Sequence, residues 1–162
     1  MPIKRILVPL DFSSDSLNAL AYAADFAKTF GAKLLLLYVV EPIYYATPTD
    51  MYAVNANVAT LLEEQRRLGE QQLARIGTDL RKKGLSFRVM IKTGAPSQVI
   101  TETAKGQRAD MIIMATHGRT GLAHMFMGSV AEKVVRTASC PVLTVRGTVK
   151  PRERATKSSR PR

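Results

Sequence analysis

The chain has one cysteine, Cys140, no tryptophan, and only ten phenylalanine and tyrosine residues among 162. A lone cysteine excludes a disulfide within the chain and fits a reducing compartment. No run of apolar residues approaches the roughly 18–20 needed to span a bilayer. The opening residues, MPIKRILVPLDF, lack the long apolar region and small-residue cleavage site of a signal peptide, so a cytoplasmic location is expected. There is no GxxxxGK[ST] loop, which sets aside a P-loop enzyme. Acidic residues are the scarce charge, 13 against 24 Lys and Arg, for a net charge of +11.

What is present is ordinary for a globular protein: 46% hydrophobic and 23% charged residues, enough chain for a single domain with a substantial core. The positive excess is uneven. From Arg146 to Arg162 there are seven Lys or Arg against one Glu, leaving 17 against 12 elsewhere. That Pro-, Ser- and Thr-containing tail, residues 147–162, is too poor in apolar residues to order itself and is expected to be a solvated basic extension. Weak, salt-sensitive contact with nucleic acid is the alternative use for it.

Hydrophobic patterning alternates between two kinds of element. Ile3–Leu10, Lys33–Val40, Ser86–Lys92, Asp110–Ala115 and Pro141–Val145 read as strands, and the unbroken apolar run of KLLLLYVV suits a parallel strand covered on both faces. Between them lie helical patterns. One starts at Ser13-Ser14-Asp15 and stops at Gly31. A second runs from about Tyr52 to Lys83, with a bend or break expected at Gly69 or Gly77. A third starts at Pro96, and a fourth runs from Val130 to Thr137. Glu41–Met51 reads as a long loop. Five strands alternating with four helices predict a doubly wound, mainly parallel five-stranded sheet with helices on both faces.

In such sheets ligands bind beyond the carboxyl ends of the strands. The residues there are Pro9-Leu10-Asp11, Val39-Val40-Glu41, Thr93-Gly94 and Thr116-His117-Gly118. Met111–Val130 is the stretch that points to a ligand. A buried strand ends in a glycine turn, and Gly128-Ser129 opens a helix whose first N–H groups suit an anion. Gly128 would admit a phosphate to the main chain, and Ser129 could cap the helix or bind a phosphate oxygen. Asp11 is placed either to hold a ribose hydroxyl, an adenine amino group or a metal-bound water, or to cap the first helix. Asp110 lies at the opposite end and reads as structural.

VPLDFS, ATHGRTGLAHMFMGSVAEKVV and CPVLTVR together resemble the universal stress protein family over residues 1–146. The family's nucleotide-binding branch is marked by Gly, two residues, Gly, nine residues, then Gly-Ser or Gly-Thr. Here Gly118, Arg119–Met127 and Gly128-Ser129 match, while Ala115 stands at the first glycine. The resemblance implies an adenine nucleotide alpha-hydrolase-like fold that binds ATP with Mg²⁺ (or Mn²⁺). Pro9 and Asp11 would meet the nucleoside, and the Val39 main chain the adenine edge. Ala115 and Gly118 would line the ribose and α-phosphate. Gly128, Ser129 and Val130 would hold the phosphates, with Arg119 near them. It also implies a homodimer through the last strand, Pro141, Val142, Leu143, Thr144 and Val145.

Other chemistry has less support. His117 and His124 have no cysteine or carboxylate at metal-ligand spacing. Ser129 lacks a nucleophile elbow and an identifiable base, and Cys140 reads as a packed small side chain. With no acidic residue from Thr116 to Ala131, a binder is expected, with slow ATPase at most. The competing readings are a nucleotide-free dimeric scaffold, motivated by Ala115, and non-specific nucleic-acid binding through the tail.

Overall fold

The computed structural model describes residues 2–42, 51–118 and 127–146, without the side chains of residues 51–57. Residues 43–50 of the expected Glu41–Met51 loop, Arg119, His124, Met125 and the basic tail therefore lie outside the described residues. Within them the order is β1 (Arg5–Leu10), α1 (Ser14–Phe30), β2 (Lys33–Val40), α2 (Met51–Lys82), β3 (Phe87–Thr93), α3 (Pro96–Gly106), β4 (Met111–Ala115), α4 (Ser129–Thr137) and β5 (Val142–Val145). The expected elements are all present, with ends displaced by one or two residues.

All four strand pairings are parallel, in the order β3-β2-β1-β4-β5. The central strands are buried on both faces, as their unbroken apolar character requires. Ile6, Val8, Leu34 and Leu36 pack with Ala19, Ala23, Ala27 of α1 and Leu73, Leu80 of α2. On the other face Leu7, Leu35, Leu37 and Ile112 meet Val99, Ile100 of α3 and Ala131, Val134 of α4. Alanines on α1 let that helix lie close to the sheet.

Local sequence sets the limits of α1. Ser13 caps it by accepting from Ser16 N, and Gly31 ends it at φ 65°, a conformation that glycine adopts at little cost. By contrast, α2 is one unbroken helix from Met51 to Lys82, so the two glycines do not divide it into two segments. A Cβ at Gly69 would overlap the Tyr38 ring, and one at Gly77 would stand 3.0 Å from Phe87 Cζ. Both glycines mark places where the helix presses on an aromatic ring. Tertiary packing outweighs the roughly 1 kcal/mol each costs in helix propensity.

The chain moves outward from β1 to β2 and β3, then returns to place β4 on the other side of β1. The reversal leaves an opening between the carboxyl ends of β1 and β4.

Candidate functional site

Three backbone segments converge on that opening. At the end of β1, Phe12 takes φ 64°, an uncommon conformation for a residue with a large side chain. Its ring packs at a tilt of 42° against that of Tyr38, with centroids 4.8 Å apart. The turn holds the Asp11 carboxylate in place: Oδ1 accepts from Ser13 N at 3.0 Å and from Ser13 Oγ at 2.6 Å. Ser13 Oγ in turn accepts from Ser16 N at 3.2 Å. Asp11 is thus not the cap of α1 but the group that orients the capping serine. Its Oδ2 points the other way, since a Cβ added to Gly118 would lie 2.7 Å from it.

At the end of β4, Thr116 is buried and bonded on both sides. Its N–H donates to the Val145 carbonyl at 2.9 Å, and its carbonyl accepts from Gly128 N at 2.8 Å. Thr116 Oγ1 lies 3.0 Å from His117 Nδ1. The third segment is the start of α4. Gly128, not Ser129, is the N-cap residue, and among the described residues no side-chain hydrogen bond caps the helix. Ser129 is the first helical residue, which sets aside the capping role, one of the two roles open to it. Gly128 itself has its N–H occupied by Thr116, so the amides left without an intrahelical acceptor are those of Ser129, Val130 and Ala131. Its lack of a side chain also has a structural cause: a Cβ would stand 3.2 Å from the Thr116 carbonyl oxygen.

The end of β2 closes the opening. Lys33 N donates to Lys4 O towards β1, and Leu34 N donates to Ser86 O towards β3. Successive residues alternate, so the polar groups of Val39 point to the β1 side. Those of Val40 point to β3, where its carbonyl accepts from Gly94 N at 3.0 Å. Pairing with β1 ends at Leu10 opposite Tyr38. The Val39 carbonyl therefore faces past the end of β1, into the opening.

The result is a cleft of about 480 Å³, a size suited to a small-molecule ligand. Pro9, Asp11 and Val39 line one side. Ala115 and Gly118 line the floor after β4, and Gly128, Ser129 and Val130 line the helix start. Every residue expected from the sequence is therefore brought together, apart from Arg119, which lies outside the described residues. His117, named above among the residues that follow the strands, lines the cleft too, and so do Ala131 and Gln65 of α2, which the sequence did not single out. Gln65 is one turn before Gly69 on the inward face of α2, a position visible only once Gly69 is known to rest on Tyr38.

Asp11 and Glu41 are the acidic residues among the described lining, which contains no Lys or Arg. Positive potential there comes from the α4 dipole. Among the described residues no group of three or more His, Cys, Asp or Glu could hold a metal ion. No described helix is long and apolar enough to cross a membrane. Asp110, at the opposite end of the sheet, accepts from Lys4 N and Arg5 N at 2.9 and 2.8 Å, a structural use. The thiol of Cys140 is half-buried, and burial, with nearby Asp110, pushes its pKa above the ordinary thiol range.

The sequence pattern of the Universal stress protein family matches residues 2–146. Universal stress protein MJ0531 of Methanocaldococcus jannaschii is 33% identical over 143 residues, covering 88% of this chain and 82% of that protein. The solved structure of universal stress protein UspA from Lactobacillus plantarum superposes with a TM-score of 0.82 at 26% identity, over 90% of this chain and 99% of that one. A family protein from Arabidopsis thaliana, solved with AMP bound, has a TM-score of 0.62 at 24% identity, over 90% of this chain and 93% of its own.

Proposed function

We propose, from the premise that this chain belongs to the universal stress protein family, that its cleft binds ATP and that the protein responds to nucleotide by altering its contacts with partners. The observation that carries the reading is the meeting of Asp11 Oδ2, Gly118 and the glycine-headed start of α4 in one opening. The amides of Ser129, Val130 and Ala131 would receive phosphate oxygens, helped by the partial positive charge of the helix start. Asp11, fixed by Ser13, would take a ribose hydroxyl. The AMP in the Arabidopsis relative supports an adenine nucleotide as the ligand class.

Mg²⁺ fits this site only as part of the nucleotide complex. The ion typically needs one or two protein carboxylates besides phosphate and water. Asp11 is the carboxylate at hand near Gly118, and one of its oxygens is engaged by Ser13. Mg²⁺ (or Mn²⁺) would screen the phosphates while the chain's own groups position them. Binding and release, with hydrolysis slow at most, is the activity we assign.

Assembly is proposed through β5. Ile112 N donates to Pro141 O and Thr116 N to Val145 O, so alternation turns the polar groups of Val142 and Thr144 outward, away from β4. An apolar edge strand with outward-facing amides is a template for pairing with another chain, and a second copy would form a homodimer. A cytoplasmic location accords with this reading.

Calorimetric titration with Mg-ATP tests the ligand. Saturable heat is expected for the wild type and much weaker binding for Gly118→Leu, whose side chain would crowd Asp11. Absence of binding at millimolar nucleotide would leave the nucleotide-free scaffold as the better account.

A further inference from the structure

The acceptors at the base end of the cleft do not by themselves choose a purine. The Val39 carbonyl faces the opening, and Glu41 lines it as well. Either can accept from an exocyclic amine, and both adenine and guanine carry one. What separates the two bases is the ring nitrogen beside it, an acceptor in adenine and a donor in guanine. A protein donor at this end is therefore needed for selection.

Gln65 is positioned to supply it. On α2 the inward stripe consists of Gly69, Leu73, Ile76 and Leu80, with Leu73 and Leu80 fully buried. Gly69 sits directly against the Tyr38 ring. One turn earlier on the same face, about 5.4 Å along the axis, comes Gln65, which carries the stripe past Tyr38 to the level of Val39 and Glu41. It is half-buried and lines the cleft. A carboxamide on the core-facing side of a helix, where leucines occupy the succeeding positions, has a polar duty at the edge of the sheet. It offers two N–H donors and one acceptor oxygen.

We propose that Gln65 selects the base: its Nε2 donates to an adenine ring nitrogen while the Val39 carbonyl accepts from the exocyclic amine. Guanine in the same pose sets its carbonyl oxygen against that of Val39, and turning the Gln65 carboxamide over to offer its oxygen to N1–H leaves that repulsion in place. The assignment rests on the nucleotide reading above.

The test compares Mg-ATP and Mg-GTP binding by calorimetry for the wild type, Gln65→Leu and Gln65→Glu, with thermal melting as a control of folding. The wild type is expected to prefer ATP. Gln65→Leu should weaken ATP binding about five- to tenfold, the effect of one lost hydrogen bond, and leave GTP binding little changed. Gln65→Glu, which presents only acceptors at neutral pH, should weaken ATP further and move the preference towards GTP. Wild-type binding of ATP with an ATP-to-GTP ratio unchanged in both variants would overturn the role of Gln65 while keeping the nucleotide site. A wild type that binds neither nucleotide would overturn both readings.

Discussion

Gly128 donates its N–H to the carbonyl of Thr116 at 2.8 Å, tying the start of α4 to the end of β4. The same approach leaves a Cβ at position 128 only 3.2 Å from that carbonyl oxygen. The φ of Gly128 is −70°, so the backbone itself tolerates any residue. The space is what is restricted.

Gly128→Ala is therefore expected to be close to neutral in thermal melting. The smaller entropy of the unfolded chain, worth about 0.4–1 kcal/mol, offsets a displacement of a few tenths of an ångström. Gly128→Val adds branched methyls to the same gap and should destabilise by about 1–3 kcal/mol. It should also weaken Mg-ATP binding, because the α4 amides would be moved. A valine variant as stable as the wild type would show that the contact with Thr116 is loose.

Ala115 occupies the position where the family's nucleotide-binding pattern has its first glycine. Its side chain packs with Ile113 and Val145 in the core beneath α1, and the residue is only 8% exposed. Restoring glycine by Ala115→Gly should lower stability by about 1–2 kcal/mol, from the lost methyl and the freer unfolded chain. Mg-ATP affinity is expected to be unchanged. A clear rise in affinity on calorimetric titration would mean that the methyl does obstruct the ligand.

The strands and the site could be read because their signals are local. KLLLLYVV is apolar throughout, and Asp11 and Thr116-His117-Gly118 follow strands directly, so topology alone carries them to one end of the sheet. The parts that escaped depend on contacts between distant residues. Gly69 reads as a helix breaker until Tyr38 is seen beneath it. Gln65 is indistinguishable in sequence from its solvated neighbours Glu64 and Arg66, which form surface ion pairs on the same helix. At the start of α4 serine is the usual capping side chain, whereas a close backbone approach to Thr116 places Gly128 at the cap.

The two glycines of α2 separate helix propensity from packing. Alanine is favoured over glycine within a helix by about 1 kcal/mol. At Gly69 the added methyl would run into Tyr38, which is buried and packed against the Phe12 ring, so the ring has little room to retreat. Gly69→Ala should be destabilising by about 1–3 kcal/mol net. At Gly77 the neighbour is the tip of the partly buried Phe87 ring, which can shift, and Gly77→Ala should be near neutral. Denaturant melts of both variants provide the comparison, and equal effects at the two sites would refute the packing argument.

Thr144 tests the edge of the sheet. Its polar groups point away from β4, because those of Pro141 and Val145 are the ones bonded to Ile112 and Thr116. Proline is tolerated on an edge strand where the missing N–H faces outward. Thr144→Pro should therefore leave the β4–β5 bonds in place and cost little in the fold of a single chain. If two copies join edge to edge through β5, the substitution removes a donor from the centre of that junction and adds a ring where a neighbouring strand must lie. The wild type is then expected to run as a dimer by light scattering and Thr144→Pro as a folded monomer, with unaltered far-ultraviolet circular dichroism. A variant that remains dimeric would place the interface elsewhere on the molecule.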